Sequence, residues 1–168
     1  MIQVMIDLET MSTRSNAAIA SIGAVKFDID DGVIDTFYRT IDLRTCKAVG
    51  LHFDAETIEW WKQQSPEAQK ALQINNISIF KALDEFATWF GNKSLPTWGN
   101  GAGFDNVIME NAYRAINSKR PWLPWEDRCY RTIKNIIQVP IDERQGTYHN
   151  ALDDAMHQTK HLLKILGS

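Results

Sequence analysis

The 168-residue sequence has few cysteines, no excess of basic residues and no long apolar run. Its two cysteines, Cys46 and Cys129, lack the spacing of a zinc site, which favours a reduced, cytoplasmic protein, although one disulfide between them is compatible with the sequence. No segment approaches transmembrane length, and Asp7 and Glu9 interrupt the apolar N-terminal stretch, so we expect neither a signal peptide nor a membrane partner. The net charge of −3 argues against a protein that passively coats nucleic acid, because such proteins carry a basic excess.

No internal repeat or long linker divides the chain, so we expect one domain over residues 1–168. Closely spaced apolar segments predict an antiparallel meander of three strands, and the D-I-D-D-G run after the second predicts a hairpin turn rather than a calcium loop. Strands followed by helices and a further strand predict an α/β fold with a mixed sheet. The expected strands are 2–8, 17–27, 33–41 and 95–98, and the expected helices are 54–64, one starting at Ser65-Pro66, 78–90, 104–116, 131–137 and 150–166.

Acidic residues stand where a soluble domain normally places apolar residues. Asp7 and Glu9 lie two apart on the first predicted strand, so their side chains share a face. A solvated strand face would accommodate them. A buried face would need a cation, and carboxylate oxygens are the ligands that hard divalent cations prefer.

A glycine-rich turn places a second acidic position near the middle of the chain. Gly99, Gly101 and Gly103 surround Asn100 and precede Asp105, after a predicted strand and before a predicted helix. Glycines permit a tight turn and a close approach to a ligand. The run lacks the third glycine of a dinucleotide-binding fingerprint. Asp105 is therefore either a ligand of the same cation or simply the residue that caps its helix.

A third acidic cluster follows His149. Asp154 lies five residues after His149, and the two side chains converge only if His149 lies on the loop before the helix. If both positions were helical, Asp153, four residues after His149, would share its face instead. His157 and His161 are spaced like a zinc pair, but no metalloprotease signature accompanies them, and we expect two partly solvated side chains. Carboxylates that gather around divalent cations suit phosphodiester cleavage. The sequence therefore predicts a metal-dependent nuclease.

Aromatic and basic side chains are candidates for binding a nucleic-acid strand. Of six tryptophans, most are expected in the core, and Trp61 is the candidate for contact with substrate. Basic residues in the later part of the chain would line a strand-binding path or simply form a solvated surface. They are Arg114, Lys119, Arg120, Arg128, Arg131, Lys134 and Arg144.

The three clusters, in this order, resemble the motifs of the DnaQ-like (DEDDh) 3′–5′ exonucleases of the ribonuclease H-like superfamily. The matching segments are D-L-E-T at 7–10, N-G-A-G-F-D at 100–105 and H-N-A-L-D-D-A at 149–155. The family spaces its histidine and aspartate by five, which selects Asp154 over Asp153. S-I-G-A-V-K-F-D and T-I-E-W-W-K-Q-Q-S-P-E-A further resemble a subgroup that includes a T4-type phage exodeoxyribonuclease and mycobacterial-type exoribonucleases.

The resemblance implies a ribonuclease H-like mixed sheet flanked by helices, and a hydrolase that releases mononucleotides from 3′ ends. Asp7, Glu9, Asp105 and Asp154 would hold two Mg²⁺ or Mn²⁺ ions, and His149 would be the general base. Thr10 and Met11 would contact the terminal nucleotide, while Phe104 and Asn100 would complete its pocket. The ions would activate the attacking water and stabilise the leaving 3′-oxygen.

The resemblance covers several substrates and more than one oligomeric state. Single-stranded or frayed DNA is slightly favoured over RNA by the phage subgroup. An exoribonuclease and a catalytically inactive nucleic-acid-binding module of the same fold are the alternatives. Related exonucleases are often dimers, so the resemblance allows a homodimer.

Overall fold

A five-stranded mixed sheet between two layers of helices forms the protein, as seen in a computed structural model that describes residues 1–167. The order across the sheet is β3-β2-β1-β4-β5; β1 to β3 form the predicted antiparallel meander, and β4 and β5 run parallel to β1. The predicted α/β class is confirmed. The strands are β1 (Ile2–Thr10), β2 (Ile19–Asp28), β3 (Gly32–Thr40), β4 (Thr97–Gly99) and β5 (Asp127–Cys129).

The helices begin where the sequence provides capping side chains. Asp54, Ser65 and Ser78 each accept a hydrogen bond from a backbone N–H in the first turn of the helix that follows. Helix α1 and strand β5 were not predicted, because six and three residues are too few to show a period. The helices are α1 (Leu43–Ala48), α2 (Ala55–Lys62), α3 (Pro66–Ala71), α4 (Ile79–Phe90), α5 (Asp105–Ala115), α6 (Tyr130–Ile136) and α7 (Ala151–Gly167).

The central strand β1 alternates between the two helix layers. Val4, Ile6 and Leu8 belong to the core cluster that contains α4 and α5, whereas Met5 packs in the cluster that contains α7. Successive side chains of a strand point to opposite faces. Asp7 and Glu9 therefore follow Met5 on the face that α7 covers.

Gly23 lets the first turn of α7 lie directly against the sheet. It pairs with Asp7 across β1 and β2. A Cβ atom at this position would lie 2.1 to 2.3 Å from backbone atoms of Ala151 and Leu152. Any side chain here would push α7 away from β1, so this glycine sets how closely residues of α7 approach the two carboxylates.

The connection between β2 and β3 is the predicted hairpin. Asp28 Oδ1 accepts a hydrogen bond from the Asp30 backbone N–H at 3.0 Å, and Asp28 Oδ2 pairs with the N-terminal ammonium at 2.7 Å. Both oxygens thus stabilise the hairpin and the strand next to it.

Two further observations concern residues 1–167. Cys46 and Cys129 are free thiols. None of the helices in this range is both long enough and apolar enough to cross a bilayer.

Candidate active site

Four carboxylates from three separate elements converge at the carboxyl end of β1. Parallel β1 and β4 are neighbours, so their carboxyl ends meet at one edge of the sheet, and Asp105 begins α5 just beyond β4. Asp105 Oδ1 accepts a hydrogen bond from the Leu8 backbone N–H at 3.2 Å. On the other side, Glu9, Asp154 and His149 offer ligand atoms that lie within 4.8 Å of one another.

The carboxylate of Asp105 does more than start its helix. Phe104 occupies the N-cap position and makes no side-chain capping bond. The Asp105 side chain is buried and bonds to β1, 97 residues away in sequence. The simple capping interpretation therefore does not account for this residue.

His149 lies on the loop before α7, as its spacing to Asp154 required. Its φ of 61° is in the left-handed region, and Asn150 caps the helix by accepting hydrogen bonds from the N–H groups of Leu152 and Asp153. The rival Asp153 turns towards the loop, where its Oδ2 accepts a hydrogen bond from Thr147 N–H at 2.8 Å. The structure therefore brings Asp154 into the cluster and uses Asp153 to hold the loop.

Burial and mutual repulsion make the carboxylates of Asp7, Glu9 and Asp105 hard to ionise without a cation. Burial, then the charges of Asp105, Glu9 and Asp154, raises the pKa of Asp7 well above its ordinary value. Burial, followed by the charge of Asp154, raises the pKa of Glu9 to about 8, and burial raises the pKa of Asp105 to about 7. Opposite charge is what would restore the ionised forms. A set of clustered carboxylate oxygens with this deficit of positive charge fits a hard divalent cation.

These shifts predict that the metal-free protein loses stability as the pH rises from about 4 to about 8. In this window the folded protein keeps protons that the unfolded chain has already released, so the free energy of unfolding must fall with pH. Below the window these groups are protonated in both states, and above it Glu9 and Asp105 are ionised in both. The thermal midpoint in the presence of a chelator, measured at pH 5.5 and pH 8, checks this expectation.

The matched variant is Glu9→Gln, which removes one of the raised groups. Its midpoint should change less between the two pH values than that of the wild type. An equal change in both proteins would mean that the cluster does not cause the pH dependence.

Gln158 is a residue of the site that no sequence pattern singled out. It lies four residues after Asp154, on the same side of α7, and its Nε2 donates a hydrogen bond to Asp7 Oδ1 at 2.8 Å. Its Oε1 is buried and has no hydrogen-bond partner among the described residues. Gln158 therefore orients Asp7 and leaves one more oxygen free at the site.

An aromatic wall borders the carboxylates. The ring of His149 packs edge-on against Trp60, with centroids 4.8 Å apart. Trp61 is only 6% exposed and its Nε1 donates a hydrogen bond to the Thr10 carbonyl at 2.9 Å, whereas Trp60 is 41% exposed. The more accessible aromatic face is thus that of Trp60, which the sequence did not distinguish from its neighbour.

A pocket of about 450 Å³ opens beside Glu9 between this wall and the start of α5. Thr10, Trp61 and Phe104, three of the candidate substrate residues, line it together with Trp60. A volume of this order accommodates a small ligand. Within the described chain, the pocket offers room for a group that reaches the carboxylates.

Met11 and Asn100, the other two candidates, have different surroundings. Met11 is buried in the core cluster next to α4 and α5. The Asn100 carbonyl accepts a hydrogen bond from Arg131 Nη2 at 2.7 Å, and its buried side-chain oxygen has no bonding partner within residues 1–167. Neither lines the pocket, so their contact with substrate stays a prediction.

The expectation that His157 and His161 are both solvated is wrong for His161. This ring is 6% exposed; its Nδ1 is 2.7 Å from the Tyr130 hydroxyl, and its Nε2 is 2.8 Å from the Val139 carbonyl. Since that carbonyl can only accept, Nε2 carries a proton. His161 therefore ties α7 to α6 and to the loop that follows α6, whereas His157 is half-buried.

Three of the seven candidate basic residues pair with acidic side chains outside the carboxylate cluster. Arg114 pairs with Glu110, Arg120 with Asp127 and Glu110, and Arg128 with Glu126. The Arg120 side chain is almost entirely buried. This removes Arg120 from a solvent-exposed strand path, while the role of the other basic residues in binding stays a prediction.

Several solved structures with the same architecture are nucleases. The chain is similar to the nuclease domain of 3′hExo, a DEDDh family member bound to rAMP, with a TM-score of 0.66 and 14% identity over 99% of this chain and 92% of that one. It is also similar to Exonuclease X in complex with 5′ overhanging duplex DNA, with a TM-score of 0.62 and 14% identity over 98% and 91%. E. coli Exonuclease I bound to dT13 gives a TM-score of 0.63 and 14% identity, over 99% of this chain and 41% of that one. The fold is thus the ribonuclease H-like fold of DEDDh exonucleases.

Sequence similarity defines the family more closely. The model of the Rv2179c-like 3′–5′ exoribonuclease domain matches residues 2–166, and the chain belongs to this family. The exodeoxyribonuclease of Enterobacteria phage T4 is 30% identical over 131 residues, which is 69% of this chain and 57% of that protein. The resemblance to DnaQ-like exonucleases is confirmed. The chain spans little more than half the length of this phage relative.

Proposed function

We propose that this protein is a divalent-cation-dependent 3′–5′ exonuclease that releases mononucleotides from single-stranded or frayed 3′ ends. The observation that carries the proposal is the convergence of Asp7, Glu9, Asp105 and Asp154 with His149 beside an open pocket. The pocket accommodates a terminal nucleotide, and its position beside Glu9 brings the last phosphodiester to the carboxylates.

In this proposal each side chain has a distinct task. The four carboxylates would hold two Mg²⁺ or Mn²⁺ ions, which would supply Lewis-acid stabilisation of the charge that develops on the phosphoryl group. His149 takes a proton from the attacking water, and Trp60 limits the rotation of its ring. Gln158 keeps an oxygen of Asp7 in place. Thr10, Trp61 and Phe104 position the terminal nucleotide.

DNA is the substrate that we propose first, because the 30% identical relative is named an exodeoxyribonuclease. RNA is the alternative, which the exoribonuclease name of the matching family favours. A single contact to the 2′-hydroxyl is enough to separate the two. A homodimer remains a prediction.

The direct test is digestion of 5′-labelled DNA and RNA oligomers of the same sequence with Mg²⁺ or Mn²⁺. We expect a ladder that shortens from the unlabelled 3′ end, with mononucleotide product, faster loss of DNA than of RNA, and no cleavage with excess chelator. Excess chelator should stop cleavage because the carboxylates have too few positively charged partners of their own.

Each alternative gives a different result. Equal cleavage of a circular single strand would indicate an endonuclease, and faster loss of RNA would select the exoribonuclease. Binding of the oligomer without cleavage at any metal concentration would identify an inactive binding module.

A further inference from the structure

Arg144 places a cation inside the carboxylate cluster. It lies in the segment between α6 and α7, and its Nη2 forms a salt bridge with Asp154 Oδ1. The side chain is only 12% exposed. Within residues 1–167, this is the only salt bridge that any of the four carboxylates forms.

The same guanidinium also organises the loop that carries His149. Its Nη2 donates a hydrogen bond to the Thr147 carbonyl at 2.8 Å, and its carbon lies 4.2 Å from the centre of the Tyr148 ring. Arg144 thus connects Asp154 with the two residues that immediately precede His149. Its Nε is buried and lacks a hydrogen-bond partner among the described residues, so part of its donor capacity is unused.

The Arg144 guanidinium offsets the negative charge of only one of the four carboxylates. That carboxylate is Asp154, which the proposed function assigns as a metal ligand. A divalent cation and Arg144 would therefore compete for Asp154. A guanidinium released from Asp154 would keep its fixed charge next to the site, and guanidinium groups bind phosphate oxygens in a two-pronged geometry.

We propose that Arg144 is an internal counter-ion that exchanges partners: it pairs with Asp154 in the metal-free protein and with a phosphate of the substrate when divalent cations occupy the site. Arg144 is thus a positioning residue for the phosphodiester. Because it holds Thr147 and Tyr148, the exchange also releases the loop next to His149. This inference rests on the proposed function insofar as Asp154 is a metal ligand.

The test is the affinity for Mn²⁺, measured by calorimetry on the wild type and on Arg144→Met. Removing the competitor should tighten Mn²⁺ binding roughly tenfold, the order expected for the loss of one hydrogen bond to a charged group. The thermal midpoint with chelator should fall, and the rise in midpoint on adding Mn²⁺ should be larger than in the wild type. Arg144→Lys, which keeps the charge, should lie between the two proteins.

A second measurement addresses the phosphate. With Ca²⁺ in place of Mn²⁺ to slow cleavage, Arg144→Met should bind a single-stranded DNA oligomer several-fold more weakly than the wild type, although its metal affinity is higher. The control is Arg44→Met, which removes an exposed arginine paired with Asp42 outside the site. It should leave the Mn²⁺ affinity, the effect of Mn²⁺ on the thermal midpoint and the oligomer affinity unchanged.

The sign of the change in metal affinity distinguishes exchange from a structural role. If Arg144 only held the loop in shape, its loss would weaken Mn²⁺ binding or leave it unchanged, and either result overturns the inference. Unchanged oligomer affinity overturns the phosphate step. If the wild type itself binds no Mn²⁺ or Mg²⁺, the proposed function fails instead.

Discussion

Asp7→Asn should lower turnover by at least about 10³-fold while leaving the metal-free protein as stable as the wild type or more so. Asp7 is central to the cluster, since the charges of Asp105, Glu9 and Asp154 all act on it. Removing a metal-binding carboxylate forfeits several kcal/mol of transition-state stabilisation. Asparagine keeps the oxygen that accepts the Gln158 hydrogen bond and removes a buried group whose ionisation is unfavourable.

Two measurements on the same purified variant check this pair of effects. Turnover on a single-stranded oligomer reports the chemistry, and the thermal midpoint with chelator at pH 8 reports stability. Asp31→Asn, in the exposed hairpin between β2 and β3, is the matched control and should leave turnover unchanged. Near wild-type turnover in folded Asp7→Asn would contradict the assignment of Asp7 as a metal ligand.

His149→Ala should lose about 10²- to 10⁴-fold in turnover, which is the typical contribution of general acid–base catalysis. Binding of Mn²⁺ should persist because all four carboxylates remain. The ring lies on a loop, near Glu9 and Asp154 and against Trp60, so its removal leaves the sheet and α7 intact. Added imidazole should restore part of the turnover in this variant and none in Asp7→Asn.

His157→Ala is the matched control for the general base, because His157 is half-buried on α7 and lies outside the carboxylate cluster. It should keep wild-type turnover. An equal loss in His149→Ala and His157→Ala would mean that the histidines act together in structure rather than in catalysis. His161 is unsuitable as a control, because its ring bonds to Tyr130 and to the Val139 carbonyl.

The positions of the site on its elements could be predicted from the sequence because they depend on local rules. The period of two along β1 places Asp7 and Glu9 on one face. The parallel pairing of β4 with β1, which brings Asp105 to the same edge, was seen only in the structure. The loop before α7 is likewise a local feature, because residues five apart, such as His149 and Asp154, approach each other only if the helix begins between them. Spacing by itself left the role of Asp105 and the choice between Asp153 and Asp154 open, and the resemblance of the three motifs to DEDDh exonucleases selected Asp105 and Asp154.

Contacts between distant segments required the tertiary structure. Gly23 reads as an ordinary residue of an apolar strand, yet its lack of a side chain admits the first turn of α7. Trp60 and Trp61 are adjacent on one short helix, and only packing decides that the second is buried while the first faces His149. His161 was misjudged for the same reason: α6 and the loop after it cover a position that the helical pattern of α7 left open.

The sequence by itself predicted the fold class from periodicity, and it predicted the four carboxylates and His149 from three ordered motifs that resemble those of DEDDh exonucleases. Only the tertiary structure decided what lies between those side chains: the Gln158 amide on Asp7, 151 residues away, and the Arg144 guanidinium on Asp154. Such contacts depend on how closely a helix and a loop pack against the sheet, and no local pattern encodes that distance.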